Sequence, residues 1–139
     1  MKIRDVVRKK DRKPIAVDGH APVSQAVAEM VASNVGSVLV LVDGVVEGIF
    51  TERDALKLWN QHGKVNDMAV MKFMTTNLII TNADETIENA MSVMGQKNIR
   101  HLIVVDGKKL LDVLSVKDLI KAYVGSLVAN VQYMEKIVV

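Results

Sequence analysis

Two short segments of this chain carry the same reactive residue types at the same spacing. Residues 48–54 and residues 112–118 each contain an apolar run, a hydroxyl residue, and a basic residue directly before an aspartate. The two copies lie 64 residues apart, and we call them the first copy and the second copy. Their polar side chains are Thr51, Arg53 and Asp54 in the first copy and Ser115, Lys117 and Asp118 in the second. A hydroxyl, a cation and a carboxylate together can bind the phosphate and the ribose of a nucleotide.

The spacing has two interpretations that the residues alone leave open. Thr-x-x-Asp and Ser-x-x-Asp at a helix start are capping boxes, in which the hydroxyl and the carboxylate satisfy free backbone N–H groups. A cap needs no cation, yet both copies place one before the aspartate. A helix N-terminus also favours anions, and an acidic residue in dinucleotide folds accepts hydrogen bonds from ribose. The functional hypothesis is therefore two sugar-phosphate pockets, with helix capping as the structural alternative.

The two copies belong to a longer internal repeat. The same shift aligns identical residues in both halves, among them Ala26 with Ala90, Met30 with Met94 and Asn34 with Asn98. Each half predicts a short strand, an amphipathic helix, two strands joined by an Asp-Gly turn, and a closing helix. For the amphipathic helix of the second half, Asn82 or Asp84 is the predicted cap.

The repeat predicts both the fold class and the domain boundaries. The strands have continuous apolarity, which indicates that helices cover both of their faces. We therefore predict an α/β fold with two β-α-β-β-α units. The predicted boundaries are 1–62 for the first repeat, 63–77 for a methionine-rich connector, and 78–139 for the second repeat with a long C-terminal helix.

Composition and charge exclude several classes of protein. The chain has 139 residues, half of them hydrophobic, and no cysteine, which excludes disulfides and thiolate metal sites. A net charge of +2 is too small to indicate nucleic-acid binding, and the basic run at residues 8–13 is interpreted as a solvated segment. No signal pattern or membrane-spanning run is present, so we expect a cytoplasmic protein. The three histidines lack metal-ligand spacing and no catalytic triad is apparent, so we expect no enzyme activity.

The repeated motif resembles the signature of the CBS domain, Gly-h-h-Thr/Ser-x-x-Asp, where h is an apolar residue. Residues 48–54 match it fully, and residues 102–107 resemble the strand and turn that precede it. The resemblance covers essentially the whole chain as a tandem pair, or Bateman module. It implies two repeats packed with pseudo-two-fold symmetry, an adenine-nucleotide-binding regulatory function, and two clefts that each combine residues from both repeats.

The resemblance also implies a role for each site residue. Asp54 and Asp118 would accept the ribose hydroxyls, and Thr51 and Ser115 would approach the phosphate. Aliphatic residues would flank the adenine. One site would comprise Ser115, Lys117 and Asp118 with Ile15 and Val35, and the other would comprise Thr51, Arg53 and Asp54 with Ile79 and Ile99.

Two features make the predicted sites unequal. Arg100 and His101 occupy a place where such modules often hold basic phosphate contacts, whereas the first repeat has Gly36 and Ser37 there. Their structural alternatives are a solvated surface charge and a half-buried strand histidine. The second copy also carries Asp112 where the signature has glycine, and a carboxylate pointing into the cleft would repel phosphate.

We therefore predict a stand-alone regulatory module that binds AMP, ADP or ATP as an energy or ligand sensor. The resemblance further implies a homodimer, and regulation would act on an unidentified effector protein or through the dimer itself. The alternative is a module with empty clefts that docks a separate protein, which a cleft blocked by Asp112 would favour. Nucleic-acid binding through the basic segment and the clefts is a third possibility that we do not expect.

Overall fold

The structure is a computed structural model that describes residues 1–10, 12–62 and 67–137. Residue 11, residues 63–66 of the predicted connector, and residues 138–139 lie outside this description. The elements in chain order are α1 (Ile3–Lys10), β1 (Ala16–Asp18), α2 (Val23–Ser33), β2 (Ser37–Val42), β3 (Val45–Thr51), α3 (Glu52–His62), a 3-10 turn (Val70–Lys72), β4 (Ile79–Asn82), α4 (Ile87–Lys97), β5 (His101–Asp106), β6 (Lys109–Ser115) and α5 (Val116–Ile137).

The chain divides into two compact units. Residues 14–77 form what we call the first unit, and the second unit comprises residues 1–13 and the chain from Leu78 onward. The first 13 residues thus pack with the second repeat, although they precede the first in sequence. The boundaries 1–62, 63–77 and 78–139 stay a prediction.

Each unit contains one three-stranded sheet with the same topology. In the first unit β1 pairs in parallel with β2, which pairs antiparallel with β3. The second unit repeats this arrangement with β4, β5 and β6. Both hairpins turn at the predicted Asp-Gly pairs, where Gly44 has a φ of 77° and Gly107 a φ of 62°. The predicted α/β fold of two β-α-β-β-α repeats is confirmed.

The hydrophobic cores use equivalent positions of the two repeats. Val40 and Val104 are both fully buried in the central strands, and Met30 and Met94 are buried on the helices that cover them. The helices also end alike, since the C-cap residues Asn34 and Asn98 have left-handed φ angles of 52° and 53°. Asparagine tolerates this conformation better than most residues, which explains its presence at both helix ends.

The N-terminal cap of α4 differs from the prediction. The side chain of Thr86 accepts a hydrogen bond from the backbone N–H of Asn89 and caps the helix. Both predicted caps are engaged elsewhere, because the Asn82 side chain accepts from the Asp84 N–H and Asp84 forms an ion pair with Arg4. The prediction of Asn82 or Asp84 as the cap was wrong.

Helix α1 is an element that the sequence analysis did not predict. Ile3 and Val6 are buried in the core of the second unit, and Arg4 forms ion pairs with Asp84 and Asp106. The basic run at residues 8–13 is therefore partly helical, and its Lys10 lies partly buried at the end of α1.

Residues 69–77 complete the first unit. Val70 in the 3-10 turn is buried in the first core, and Met71 and Met74 pack against it. These residues place the end of the connector beside β3, close to the first copy.

Candidate functional site

Both copies form a capping box at a junction between a strand and a helix. In the first copy the Thr51 N–H donates to Asp54 Oδ2 at 3.0 Å, and the Asp54 N–H donates to Thr51 Oγ1 at 3.2 Å. In the second copy the Ser115 N–H donates to Asp118 Oδ2 at 2.8 Å, and the Asp118 N–H donates to Ser115 Oγ at 3.2 Å. The structural interpretation of the motif therefore holds in both copies. What separates them is the environment of each aspartate.

In the first copy, neutral donors engage both carboxylate oxygens of Asp54. The Thr75 hydroxyl lies 3.0 Å from each oxygen, and the Thr51 hydroxyl lies 3.1 Å from Oδ2. Thr75 is held in place by backbone hydrogen bonds in both directions with Ile49, at 2.7 and 3.0 Å. A ribose diol would therefore have to compete with Thr75 for this carboxylate.

Gly48 allows the chain around Thr75 to approach the first copy. A Cβ atom at this position would lie 2.6 Å from the Thr75 carbonyl oxygen and 2.9 Å from Met74 Sδ, distances too short for real contacts. The glycine of the signature is thus required here by close approach of another backbone segment.

In the second copy, Asp112 takes the place of that glycine and is buried beside a lysine. Its side chain is only 3% exposed, and its Oδ2 lies 3.7 Å from Lys10 Nζ. Oδ1 accepts a hydrogen bond of 2.7 Å from the Val113 N–H, whereas Oδ2 accepts none from the residues that the structure describes. Burial raises the pKa of the Asp112 carboxyl above its ordinary value, and the positive charge of Lys10 opposes that rise.

The same lysine reaches the aspartate of the motif. Lys10 Nζ lies 3.5 Å from Asp118 Oδ2 and donates a hydrogen bond of 3.0 Å to the Val113 carbonyl oxygen. The side chain of Asp118 is 30% exposed. The second copy therefore presents a partly exposed carboxylate next to a cation.

The strand pairing also brings Arg100 and His101 to the second copy. His101 is the pairing partner of Ser115 in the β5–β6 hairpin, and the Arg100 carbonyl oxygen accepts a hydrogen bond of 2.8 Å from the Val116 N–H. Arg100 is exposed and His101 half-buried. The equivalent positions of the first unit, Gly36 and Ser37, provide no charge.

The remaining predicted residues lie at the expected element ends. Arg53 and Lys117 are exposed in the first turns of α3 and α5. The aliphatic residues predicted to flank an adenine are all partly buried: Ile15, Val35, Ile79 and Ile99. That each cleft combines residues from both repeats stays a prediction.

Sequence reasoning missed Lys10 and Thr75, the two residues that make the copies differ. The sequence did contain a signal for Lys10. The 64-residue shift of the repeat makes Lys10 equivalent to Met74 and Asp112 equivalent to Gly48. An uncharged pair in one repeat is thus replaced by a charged pair in the other. Without α1, nothing indicated that these positions meet.

Two β-α-β-β-α units, each with a hydroxyl–aspartate capping box where its last strand meets a helix, define a tandem pair of CBS domains. The chain belongs to the CBS domain family, whose model matches residues 3–60 and again residues 68–125. The CBS domain-containing protein YhcV of Bacillus subtilis is 30% identical over 103 residues, which cover 74% of each chain. Arabinose 5-phosphate isomerase KdsD of Salmonella typhi is 26% identical over 123 residues, and the match spans only 37% of that enzyme.

Solved structures share the fold. The CBS-domain containing protein ATU1752 of Agrobacterium tumefaciens superposes with a TM-score of 0.80 at 30% identity, covering 88% of this chain and 92% of that one. A CBS domain protein of Pyrobaculum aerophilum complexed with AMP has a TM-score of 0.72 at 22% identity, covering 85% and 89% of the two chains. The CBS domain pair of protein MJ0100, in complex with 5′-methylthioadenosine and S-adenosyl-L-methionine, has a TM-score of 0.77 at 20% identity, covering 91% and 98%. At these lower identities the likeness shows the fold alone.

Across the described ranges, no helix combines the length and the apolarity needed to cross a bilayer.

Proposed function

We propose that this chain is a regulatory module that binds an adenine nucleotide, AMP, ADP or ATP, as a sensor and catalyses no reaction. The ligands of the two structural neighbours, AMP in one and adenosine derivatives in the other, support this class of ligand. The observation that carries the proposal is the second copy, where the partly exposed carboxylate of Asp118 lies 3.5 Å from Lys10 Nζ. A carboxylate that accepts the ribose hydroxyls, surrounded by cations for the phosphate, suits a nucleotide.

Each residue of the second copy has a role in this proposal. Asp118 accepts hydrogen bonds from the ribose diol, and Ser115 approaches the phosphate at the N-terminus of α5, where free N–H groups favour an anion. Lys117, Arg100 and His101 supply further donors to the phosphate.

The first copy would bind more weakly. Its polar residues would be Thr51, Arg53 and Asp54, but the Thr75 hydroxyl already lies within hydrogen-bond distance of both oxygens of Asp54. Displacing this hydroxyl removes hydrogen bonds that the unbound protein has, so part of the binding free energy is lost. We therefore propose that the second copy fills first.

Ligand-induced stabilisation of matched variants tests this order. The measurement is the melting temperature of wild type, Asp118→Asn and Asp54→Asn with AMP, ADP, ATP, 5′-methylthioadenosine and GMP. An adenine ligand at a hundred times its Kd should raise the wild-type melting temperature by about 5 °C or more. Asp118→Asn should lose most of this rise, and Asp54→Asn should keep most of it. Because both substitutions alter a capping box, each variant controls for the structural effect of the other.

Two results would contradict the proposal. If no adenine compound stabilises the wild type while the protein is folded, the chain is not a nucleotide sensor. If Asp54→Asn abolishes the response and Asp118→Asn does not, the order of the two copies is reversed.

A protein-interaction module is the second candidate, and exposed apolar residues favour it. On α3, Leu56 and Trp59 are 71% and 77% exposed. On α5, apolar side chains that are 46–55% exposed recur at spacings close to helical: Ile120, Val124, Leu127, Val128 and Val131. Such faces mark association sites, so we propose that these two helices take part in a homodimer or dock an effector protein.

Sedimentation equilibrium of wild type and Val124→Glu tests the dimer. The wild type should sediment as a dimer, and the variant should shift toward the monomer. Ala129→Glu, an exposed position on the other side of the same helix, should leave the association unchanged. A monomeric wild type at tens of micromolar would contradict the homodimer and leave an effector protein as the partner for these helices.

A further inference from the structure

We propose that Lys10 is a selectivity residue of the second copy, whose ammonium makes the site accept anionic nucleotides despite the buried charge of Asp112. This inference rests on the proposed function and adds a residue from outside the CBS signature. Lys10 belongs to α1, more than a hundred positions before the motif that it contacts.

The position of Lys10 is well determined by its surroundings. Its ammonium donates to the Val113 carbonyl oxygen at 3.0 Å, which orients it between the carboxylates of Asp112 and Asp118. The side chain is 31% exposed, so Lys10 is only partly buried at the second copy. The helix that carries it is anchored by the fully buried Ile3 and by the ion pairs of Arg4.

The charge balance of the two copies explains why the second needs a cation here. In the first copy the neighbours at this position are Gly48 and Met74, which carry no charge. In the second copy they are Asp112 and Lys10. Without Lys10, a phosphate bound near Ser115 would meet two carboxylates, one of them in a poorly solvated position where charge interactions are strong.

Lys10 therefore interacts with the charged phosphate of the ligand rather than with its base and ribose. AMP and ATP carry a phosphate and should depend on the ammonium, whereas adenosine offers the same base and ribose without charge. Comparing the two ligands separates electrostatic selectivity from a general loss of the site.

The experiment measures the dissociation constants of AMP and adenosine by calorimetry at low salt. Lys10→Met introduces the residue that the first copy has in this place and should weaken AMP on the order of tenfold. Adenosine should change by less than about twofold. Lys9→Met, an exposed lysine of the same helix, should bind both ligands as the wild type does. Lys10→Arg keeps the charge and should keep the preference for AMP.

A compensating variant keeps the proposal testable if Lys10→Met folds poorly. Lys10→Met combined with Asp112→Gly reproduces the uncharged pair of the first copy and should recover most of the AMP affinity. The salt dependence of AMP binding should also be shallower in Lys10→Met than in the wild type.

Three results overturn the inference. An equal loss of AMP and adenosine affinity in Lys10→Met would show that the lysine acts by positioning Asp118. Unchanged affinity for both would show that it takes no part in binding. A wild type that binds neither compound would contradict the proposed function itself. A wild type that binds both compounds, with a Lys10→Met variant of equal affinity, would contradict only the role of Lys10.

Discussion

The two copies of the motif share a backbone and differ in what surrounds the aspartate. Around Asp54 the neighbours are neutral: Gly48 leaves space, and Thr75 fills it with its backbone and donates its hydroxyl. Around Asp118 the neighbours are charged, because Asp112 replaces the glycine and Lys10 lies between the two carboxylates. The capping box preserves the backbone geometry of the junction in both copies. The adjoining segments therefore determine the charge and the hydrogen-bond partners around the aspartate. One repeat can thereby pair its carboxylate with a neutral hydroxyl, and the other can pair it with a cation.

The largest effect on stability should come from exchanging Gly48 and Asp112 between the two copies, and it should fall on the first copy. We expect Gly48→Asp to lower the free energy of unfolding by about 4 kcal/mol, since it combines overpacking with a buried charge that lacks a cation. Asp112→Gly should change the free energy of unfolding by less than about 1 kcal/mol. The smaller residue fits where a side chain was accommodated, and the ammonium of Lys10 can turn to solvent. Urea unfolding of both variants measures the difference. Equal losses would show that the two surroundings are interchangeable.

Removing the cation of the second copy should have the next largest effect. Lys10→Met leaves Asp112 buried without an ion-pair partner, and we expect a loss of about 2 kcal/mol at pH 7. The expected value is below that of a fully buried pair because Lys10 is 31% exposed. Lys9→Met serves as the matched control and should unfold as the wild type does. If the double variant Lys10→Met with Asp112→Gly is no more stable than Lys10→Met alone, the two side chains are not coupled.

Opening the first copy should have a smaller effect on stability and a clear effect on binding. Thr75→Val removes the hydroxyl that engages both oxygens of Asp54, at a cost of about 1 kcal/mol. The freed carboxylate should then accept a ribose more readily, so at AMP concentrations that fill only the second copy of the wild type the variant should bind two AMP per chain instead of one. Calorimetric titration measures the stoichiometry, and the exposed neighbour Thr76→Val is the control. An unchanged stoichiometry would mean that Thr75 is not what closes this copy.

The sequence predicted the fold well because the evidence for it is local and occurs twice. The apolar residues of β2 and β5 recur at the same shift, and their burial agrees, with Val38 and Leu102 at 1% and Val40 and Val104 at 0%. The Asp-Gly turns have the backbone conformations that their residue types favour. The apolar patterns and the turn residues are weak signals singly, and their repetition made the prediction of the fold specific.

The residues that surround each aspartate of the motif were less predictable, because they come from positions distant in sequence. Lys10 stood in a basic run that is typical of a solvated segment, and no local pattern indicates an ion pair with Asp118. Thr75 lay in the connector, where no feature marked a hydroxyl aimed at Asp54. The unequal sites were predicted from Asp112, but a buried ion pair, rather than a carboxylate free to repel a ligand, is what distinguishes its surroundings.

The smallest expected effect is a pH dependence that belongs to the second copy alone. Burial holds the pKa of Asp112 above its ordinary value, Lys10 opposes the rise, and the charge of Asp118 adds to it. A folded-state pKa above the unfolded one means that the native protein binds more protons, so stability falls as the pH rises from about 3.9 through the raised pKa.

Unfolding of wild type and Asp112→Asn across this range measures that effect. The neutral variant lacks this titration, so its stability relative to the wild type should increase as the pH rises. In a Lys10→Met background the opposing charge is gone, so the same comparison should show a larger increase that extends to higher pH. A difference that is flat with pH in both backgrounds would mean that Asp112 titrates alike in the folded and unfolded chains. The burial of its carboxylate would then not be what sets the two copies apart.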